Sequence, residues 1–166
     1  MKIKLFLTGG TIDKRYNLLS GEMEYDKTRI QEMLSQSRSR VDLDIEELML
    51  IDSLDMTEEQ RQQILEACHS ASEDRILITH GTDTIVKTAK LLGENTRDKT
   101  IVLFGSMIPY VFGGSDALFN GGGAIIAVQT LGPGVYIVMN GKVFHWDNVI
   151  KNREIGEFQT LSLDHA

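Results

Sequence analysis

Four short segments of this 166-residue chain gather hydroxyls, carboxylates and glycines between apolar runs. They are Thr8-Gly9-Gly10-Thr11-Ile12-Asp13, Asp52-Ser53-Leu54-Asp55-Met56, His80-Gly81-Thr82-Asp83-Thr84 and Gly105-Ser106-Met107. Any one alone serves as a turn and helix cap, where Ser, Thr, Asp and Gly are favoured. Several in succession, carrying spare hydroxyls, point to nucleophilic chemistry. A threonine hydroxyl is inert at neutral pH until a base takes its proton. The two glycines before Thr11 let the backbone approach a ligand closely, and they leave amide N–H groups to form an anion-holding concavity. The bases on offer are Tyr16 or Tyr25 in the following loop and Lys151 far down the chain. Lys151 serves as a base only where desolvation or a neighbouring cation keeps it neutral, and Asp83 beside Thr82 could orient it.

Other chemistries find no support. There is no G-x-x-x-x-G-K-[ST], no G-x-G-x-x-G after a strand and no G-x-S-x-G. The histidines His69, His80, His145 and His165 are scattered, without H-x-x-x-H or H-E-x-x-H spacing. His145-Trp146-Asp147 reads as a strand-end packing group. A single cysteine, Cys68, excludes an internal disulfide framework and a multi-cysteine metal site. No metal or organic cofactor is expected.

The elements that must position these residues follow from hydrophobic periodicity. Short β-branched runs alternate with helical patterns, which predicts an α/β fold: an open, doubly wound, mostly parallel sheet with helices on both faces. Strands are predicted at Lys2 to Thr8, within Val41 to Ile51, at Arg75 to Thr79, Thr100 to Gly105 and Val135 to Met139, with Lys142 to His145 returning after an Asn140-Gly141 turn. Val41, Leu43 and Ile45 alternate with Asp42, Asp44 and Glu46, so that stretch is predicted to be edge-like or wet on one face. Helices are predicted from about Thr28 to Ser37, Thr57 to Ser72, Asp83 to Glu94 and Ser115 to Leu131. Thr57 and Gln60 have capping-box form, and Ile64, Cys68 and Ala71 share a stripe. Gly121-Gly122-Gly123 costs roughly 1 kcal/mol per glycine in a helix, which implies close packing there. In such sheets ligands bind beyond the carboxyl ends of the strands, where the four polar segments fall.

The chain is 42% hydrophobic and 25% charged, with 17 Lys and Arg against 24 Asp and Glu and a net charge of −7. That excludes a disordered or fibrous chain and argues against a nucleic-acid or anionic-membrane partner. No apolar stretch approaches the roughly 18 residues of a spanning helix. Met1 to Leu7 is too short for a signal peptide and runs into a glycine turn, so the cytoplasm is the expected address. One domain, residues 1–166, is expected.

Thr8-Gly9-Gly10-Thr11-Ile12 and Ile78-Thr79-His80-Gly81-Thr82-Asp83-Thr84 together resemble the bacterial-type L-asparaginases and glutaminase-asparaginases. Ser53-Leu54-Asp55-Met56, Gly105-Ser106-Met107-Ile108-Pro109, Ser115-Asp116, Phe119-Asn120 and Val149-Ile150-Lys151 extend the resemblance. It covers nearly the whole chain, but only the amino-terminal domain of the family. The resemblance implies hydrolysis of a side-chain amide to carboxylate and ammonia without a cofactor. Thr11 would be the nucleophile, with a loop tyrosine, Tyr16 or Tyr25, of which Tyr16 is placed first. Thr82, Asp83 and Lys151 would form a second hydroxyl-carboxylate-amine set. Gly10, Asp52, Ser53, Gly81, Thr82 and Asp83 would line the substrate, with Ser53 and Asp83 on its α-carboxylate and α-amino groups.

Two departures accompany the resemblance. The family's carboxyl-terminal domain, which donates groups across a dimer interface, is expected to be absent, which predicts a homo-oligomer joined through the glycine-containing helix or Tyr110-Val111-Phe112. Leu54 stands where the family commonly has glutamine and cannot hydrogen-bond an ammonium group, a loss of about 1–3 kcal/mol. The alternatives are the same machinery on another small amide, an ammonia-supplying subunit, and a non-catalytic amino-acid-binding domain.

Overall fold

The structure, a computed structural model, describes residues 1–161. His165 lies outside them. β1 (Ile3–Gly9) leads through a 3-10 turn (Thr11–Asp13) into a hairpin of β2 (Lys14–Tyr16) and β3 (Met23–Tyr25), then α1 (Ile30–Gln36). β4 (Leu43–Ile51), α2 (Glu58–Ser70), β5 (Arg75–Thr79), α3 (Ile85–Asn95), β6 (Thr100–Phe104), α4 (Ala117–Thr130) and β7 (Gly134–Met139) follow in alternation. β8 (Lys142–His145) and the small hairpin of β9 (Ile150–Asn152) and β10 (Glu157–Gln159) complete the chain.

The main sheet runs β4-β1-β5-β6-β7-β8, parallel except for the β7–β8 pair. The edge-like reading of β4 is correct: it flanks the sheet, and Glu46 and Glu47 are exposed. Alternation along the strands divides the core. Ile76 and Ile78 of β5 pack with Ile64, Leu65 and Cys68 of α2 and Ile85, Ala89 and Leu92 of α3. Leu77 packs on the other face with Ile30 and Met33 of α1 and Ala117, Ala124 and Val128 of α4. Helices therefore cover both faces, and the interiors of β1, β5 and β6 are buried on both sides, as their continuous apolar runs require.

Local signals operate as their chemistry dictates. The Thr57 hydroxyl accepts from the Gln60 N–H at 3.3 Å and the Gln60 side chain accepts from the Thr57 N–H at 2.9 Å, a complete capping box. In α4, a Cβ on Gly121 would touch Met33 and Phe104, and one on Gly123 would press on Val138, whereas Gly122 faces open space. Two of the three glycines thus let the helix sit close on the sheet. Trp146 packs against Gly93 of α3, which leaves no room there for a side chain.

The chain leaves β1 for one side of the sheet and β5 for the other, although the two strands are neighbours. This is the topological switch point, and it opens a crevice between the loops that follow them.

Candidate active site

At the switch point the two strand ends are bolted together. The Thr8 hydroxyl donates to the Thr79 carbonyl at 2.6 Å, and the Thr8 N–H donates to the Thr79 hydroxyl at 3.2 Å. Gly10 has φ +88°, a left-handed conformation open to glycine. A Cβ there would lie 2.4 Å from the Gly81 nitrogen, so the two loops touch backbone to backbone. Gly81 in turn presses on Ser53, whose hydroxyl would sit 2.5 Å from an added Cβ. Gly10, Gly81 and Ser53 stack in contact, and Thr11 and Thr82 follow the two glycines along the chain.

The expected free amide at Gly10 is not free: its N–H donates to the Ile51 carbonyl at 3.0 Å. The glycine pair serves close approach, and its second amide is used in holding β4. Thr11 opens the 3-10 turn and is partly exposed.

Lys151 comes from β9, which antiparallel pairing with β10 and the buried Phe158 fix to the core. Its Nζ donates to the Thr82 hydroxyl at 2.8 Å and to the Asp83 carboxylate at 2.9 Å. Thr82 is buried and Asp83 is partly exposed, so the amine bridges an inside hydroxyl and an outside carboxylate. The structure therefore joins Thr82, Asp83 and Lys151 directly. It brings Thr11, Gly10, Gly81 and Ser53 onto the same rim.

The Ser53 hydroxyl is buried and has no hydrogen-bond partner. Such an orphan is costly unless a ligand satisfies it. Asp52 is already committed: its carboxylate pairs with Lys14 and accepts the Leu54 N–H at 2.9 Å, tying the loop after β1 to the loop after β4. Partial burial works against its charge, but Lys14 and that N–H outweigh it and hold the carboxyl below the usual range. Leu54 is 61% exposed on the rim.

The two tyrosines share the hairpin but occupy different environments. Tyr16 is 49% exposed, its hydroxyl near Gly21 at the hairpin's far end, and it is not gathered with the other residues. Tyr25 stands opposite Lys14 at the hairpin's root, with its hydroxyl buried, unpartnered and beside the Gly10 backbone. Burial, and then the nearby Asp52 charge, push the Tyr25 phenol up.

Asp13 was not singled out from sequence. It is fully buried, accepts the Arg29 N–H at 2.7 Å and the Thr28 hydroxyl at 3.1 Å, and thereby roots the Thr11 turn on the start of α1. Burial pushes its carboxyl up to about 6. His80 is buried between the Gly81 carbonyl and the Thr88 hydroxyl, and burial lowers its pKa to about 4, so it is neutral. The Gly105-Ser106-Met107 loop is held by Asp116, which accepts the Met107 and Ile108 N–H groups, and by the Ser106 hydroxyl, which donates to Ile108. Among the described residues no three His, Cys, Asp or Glu side chains form a metal-ligand set, and no helix is long and apolar enough to cross a membrane.

Known proteins resemble this chain in sequence and in fold. The L-asparaginase of Thermococcus kodakarensis is 28% identical over 98% of this chain and 52% of its own length. A probable periplasmic L-asparaginase of Haemophilus influenzae is 28% identical over 90% of this chain and 46% of its own. The solved thermostable L-asparaginase from Thermococcus kodakarensis superposes with a TM-score of 0.86 over 97% of this chain and 51% of that one. A probable cytoplasmic L-asparaginase from Campylobacter jejuni gives 0.78 at 27% identity, over 96% of this chain and 51% of that one. The chain thus spans about half the length of these relatives. The family described as asparaginase, N-terminal, matches residues 2–161, and the chain belongs to it.

Proposed function

We propose that this chain hydrolyses the side-chain amide of asparagine or a related small amide, with Thr11 as nucleophile and an ester intermediate. The observation that carries the reading is the bond from Lys151 to both Thr82 and Asp83, one glycine contact away from the Thr11 turn. Thr11 Oγ attacks the amide carbon while its proton passes to the Thr82 hydroxyl, aided by a loop tyrosine, and the Thr82 proton passes to Lys151, which enters this step as the neutral amine with its lone pair turned to Thr82 and one N–H on Asp83. The oxyanion forms against backbone N–H groups of the Thr11 turn, each donor supplying roughly 3–4 kcal/mol. The tetrahedral intermediate collapses, the C–N bond breaks and the proton leaves with ammonia. Water then attacks the ester, with the same groups taking its proton, and regenerates Thr11.

The Ser53 hydroxyl, with no protein partner, accounts for binding of the substrate's carboxylate, and Asp83 faces its amino group. Gly10 and Gly81 supply the close floor, and Asp52 acts through its Lys14 pair. The tyrosine is Tyr16 if the hairpin swings inward, or Tyr25 as it stands. We assign the chain as a single catalytic domain that associates with further copies of itself, the uncharged α4 with its exposed Phe119 and Ile126 supplying the contact.

Ammonia release from asparagine, glutamine and a panel of simple amides tests the reaction. Release from at least one α-amino amide is expected, and none from any supports the alternative of a binding domain. Sedimentation tests association, with a species larger than the monomer expected.

A further inference from the structure

Arg61 of α2 is a buried cation outside the hydroxyl-carboxylate-amine set. It is 3% exposed, and the carboxylate that reaches it is that of exposed Glu58, 3.3 Å from Nε. Its other donors meet neutral acceptors. Nη1 reaches the Thr88 hydroxyl at 2.9 Å, the Thr84 hydroxyl at 3.2 Å and the Met56 sulfur at 3.1 Å, and Nη2 reaches the Met56 carbonyl at 3.2 Å. A guanidinium buried among neutral groups is costly unless their dipoles are turned toward it.

The direction of every proton here follows from what each group can do. The Gly81 carbonyl only accepts, so His80 Nδ1, 2.9 Å away, carries the ring proton. A neutral imidazole has one such proton, so Nε2 is bare and accepts from the Thr88 hydroxyl at 2.8 Å. That hydroxyl has spent its proton on His80, and its lone pair must take Arg61. The second chain runs in parallel. The Ser53 carbonyl accepts from the Thr84 hydroxyl at 2.8 Å, whose lone pair also faces Arg61. A group that only donates is required where both chains meet, and arginine is such a group.

We propose that Arg61 is a positioning residue that orients two hydroxyl relays at once, one through Thr88 and His80 that sets the Gly81-Thr82-Asp83 turn, the other through Thr84 that sets Ser53. The kinetic part of this inference rests on the amide-hydrolase reading above. The first relay ends beside the amine-bearing set and governs the chemical step. The second ends at the backbone carbonyl of Ser53, fixes the residue that carries the orphan hydroxyl, and governs substrate binding. A residue that merely filled space would move neither selectively.

The test compares Thr88→Val and Thr84→Val with Thr88→Ser, Thr84→Ser, Arg61→Met and Arg61→Lys. Losing one oriented hydrogen bond predicts a kcat roughly tenfold lower for Thr88→Val at nearly constant KM, and a KM roughly tenfold higher for Thr84→Val at nearly constant kcat. Both serine variants behave as wild type. Arg61→Met shows both defects, and Arg61→Lys restores neither in full, because one ammonium lacks the guanidinium's fork. If the arginine variants do not fold, the four threonine variants carry the test. A readout independent of turnover is the 15N spectrum of the His80 ring: a single Nδ1–H tautomer in the wild type, and a mixed or broadened signal in Thr88→Val. If the wild type releases no ammonia from any amide, the proposed reaction fails, while the His80 spectra still decide the relay. Valine variants that lower only the melting temperature, with kcat, KM and the His80 tautomer unchanged, overturn the proposal. The same kinetic defect in both valine variants overturns the division into two arms.

Discussion

The two loops that touch at Gly10 and Gly81 are built in opposite ways. After β5, the side chains of His80, Thr82 and Thr84 are buried and hydrogen-bonded inward, to Thr88, Lys151, Arg61 and the Ser53 and Gly81 backbones. After β1, the chain runs out into the β2–β3 hairpin, where Leu18 and Leu19 stand in solvent and ion pairs such as Arg15–Glu24 and Arg15–Asp26 link the strands. The hairpin's root is anchored through Gly10, Asp13 and the Lys14–Asp52 pair. The difference teaches that the amine-bearing half of the site is preorganised, whereas the half that carries Thr11 is fixed at its base and loosely held beyond it. Preorganised donors lower a barrier without reorganisation during the reaction.

Substitutions should therefore differ sharply between the halves. Lys151→Met removes the amine that joins Thr82 to Asp83 and is expected to lower kcat for amide hydrolysis by at least roughly 1,000-fold, read by ammonia release. Gly81→Ala drives a Cβ into buried Ser53 and is expected to cost about 3 kcal/mol, read as a lower urea midpoint at constant slope.

The root of the other loop responds to pH. Asp13 has a folded pKa of about 6 against an ordinary 3.8, so the folded form holds a proton that the unfolded form releases between those values. Its contribution is most favourable below about 3.8 and is lost as pH rises through 6. Asp13→Asn keeps the acceptor for Arg29 and Thr28, removes the buried charge and is expected to stabilise by about 2 kcal/mol at pH 7, flattening the stability profile between pH 4 and 6. Thermal melting across that range reads it. At the hairpin, Arg15→Ala breaks two exposed ion pairs and should cost less than about 1 kcal/mol. A larger loss would mean that the hairpin is as firmly built as the β5 side.

The parallel order of elements was legible because apolar runs and helical stripes alternate cleanly. The polar segments beyond the strand ends were legible because glycine beside threonine recurs there. Three features were not. The β9–β10 hairpin that delivers Lys151 is two three-residue strands, too short for periodicity to register. The N–H of Gly10 looked free because sequence does not reveal that Ile51 lies opposite. Arg61 falls three residues before Ile64, in line with the stripe of α2, but periodicity alone does not place a charge inside. Its charge and the Glu and Gln around it are the composition of a solvent-facing turn. What buried it was the set of hydroxyls on α3, a tertiary fact.

Comparing ammonia release by the wild type and by Thr11→Ala, with equal folding verified by circular dichroism, probes the nucleophile assignment most directly. Release by the wild type that falls to background in Thr11→Ala is the predicted result. Release that persists in Thr11→Ala at a comparable rate would contradict the account.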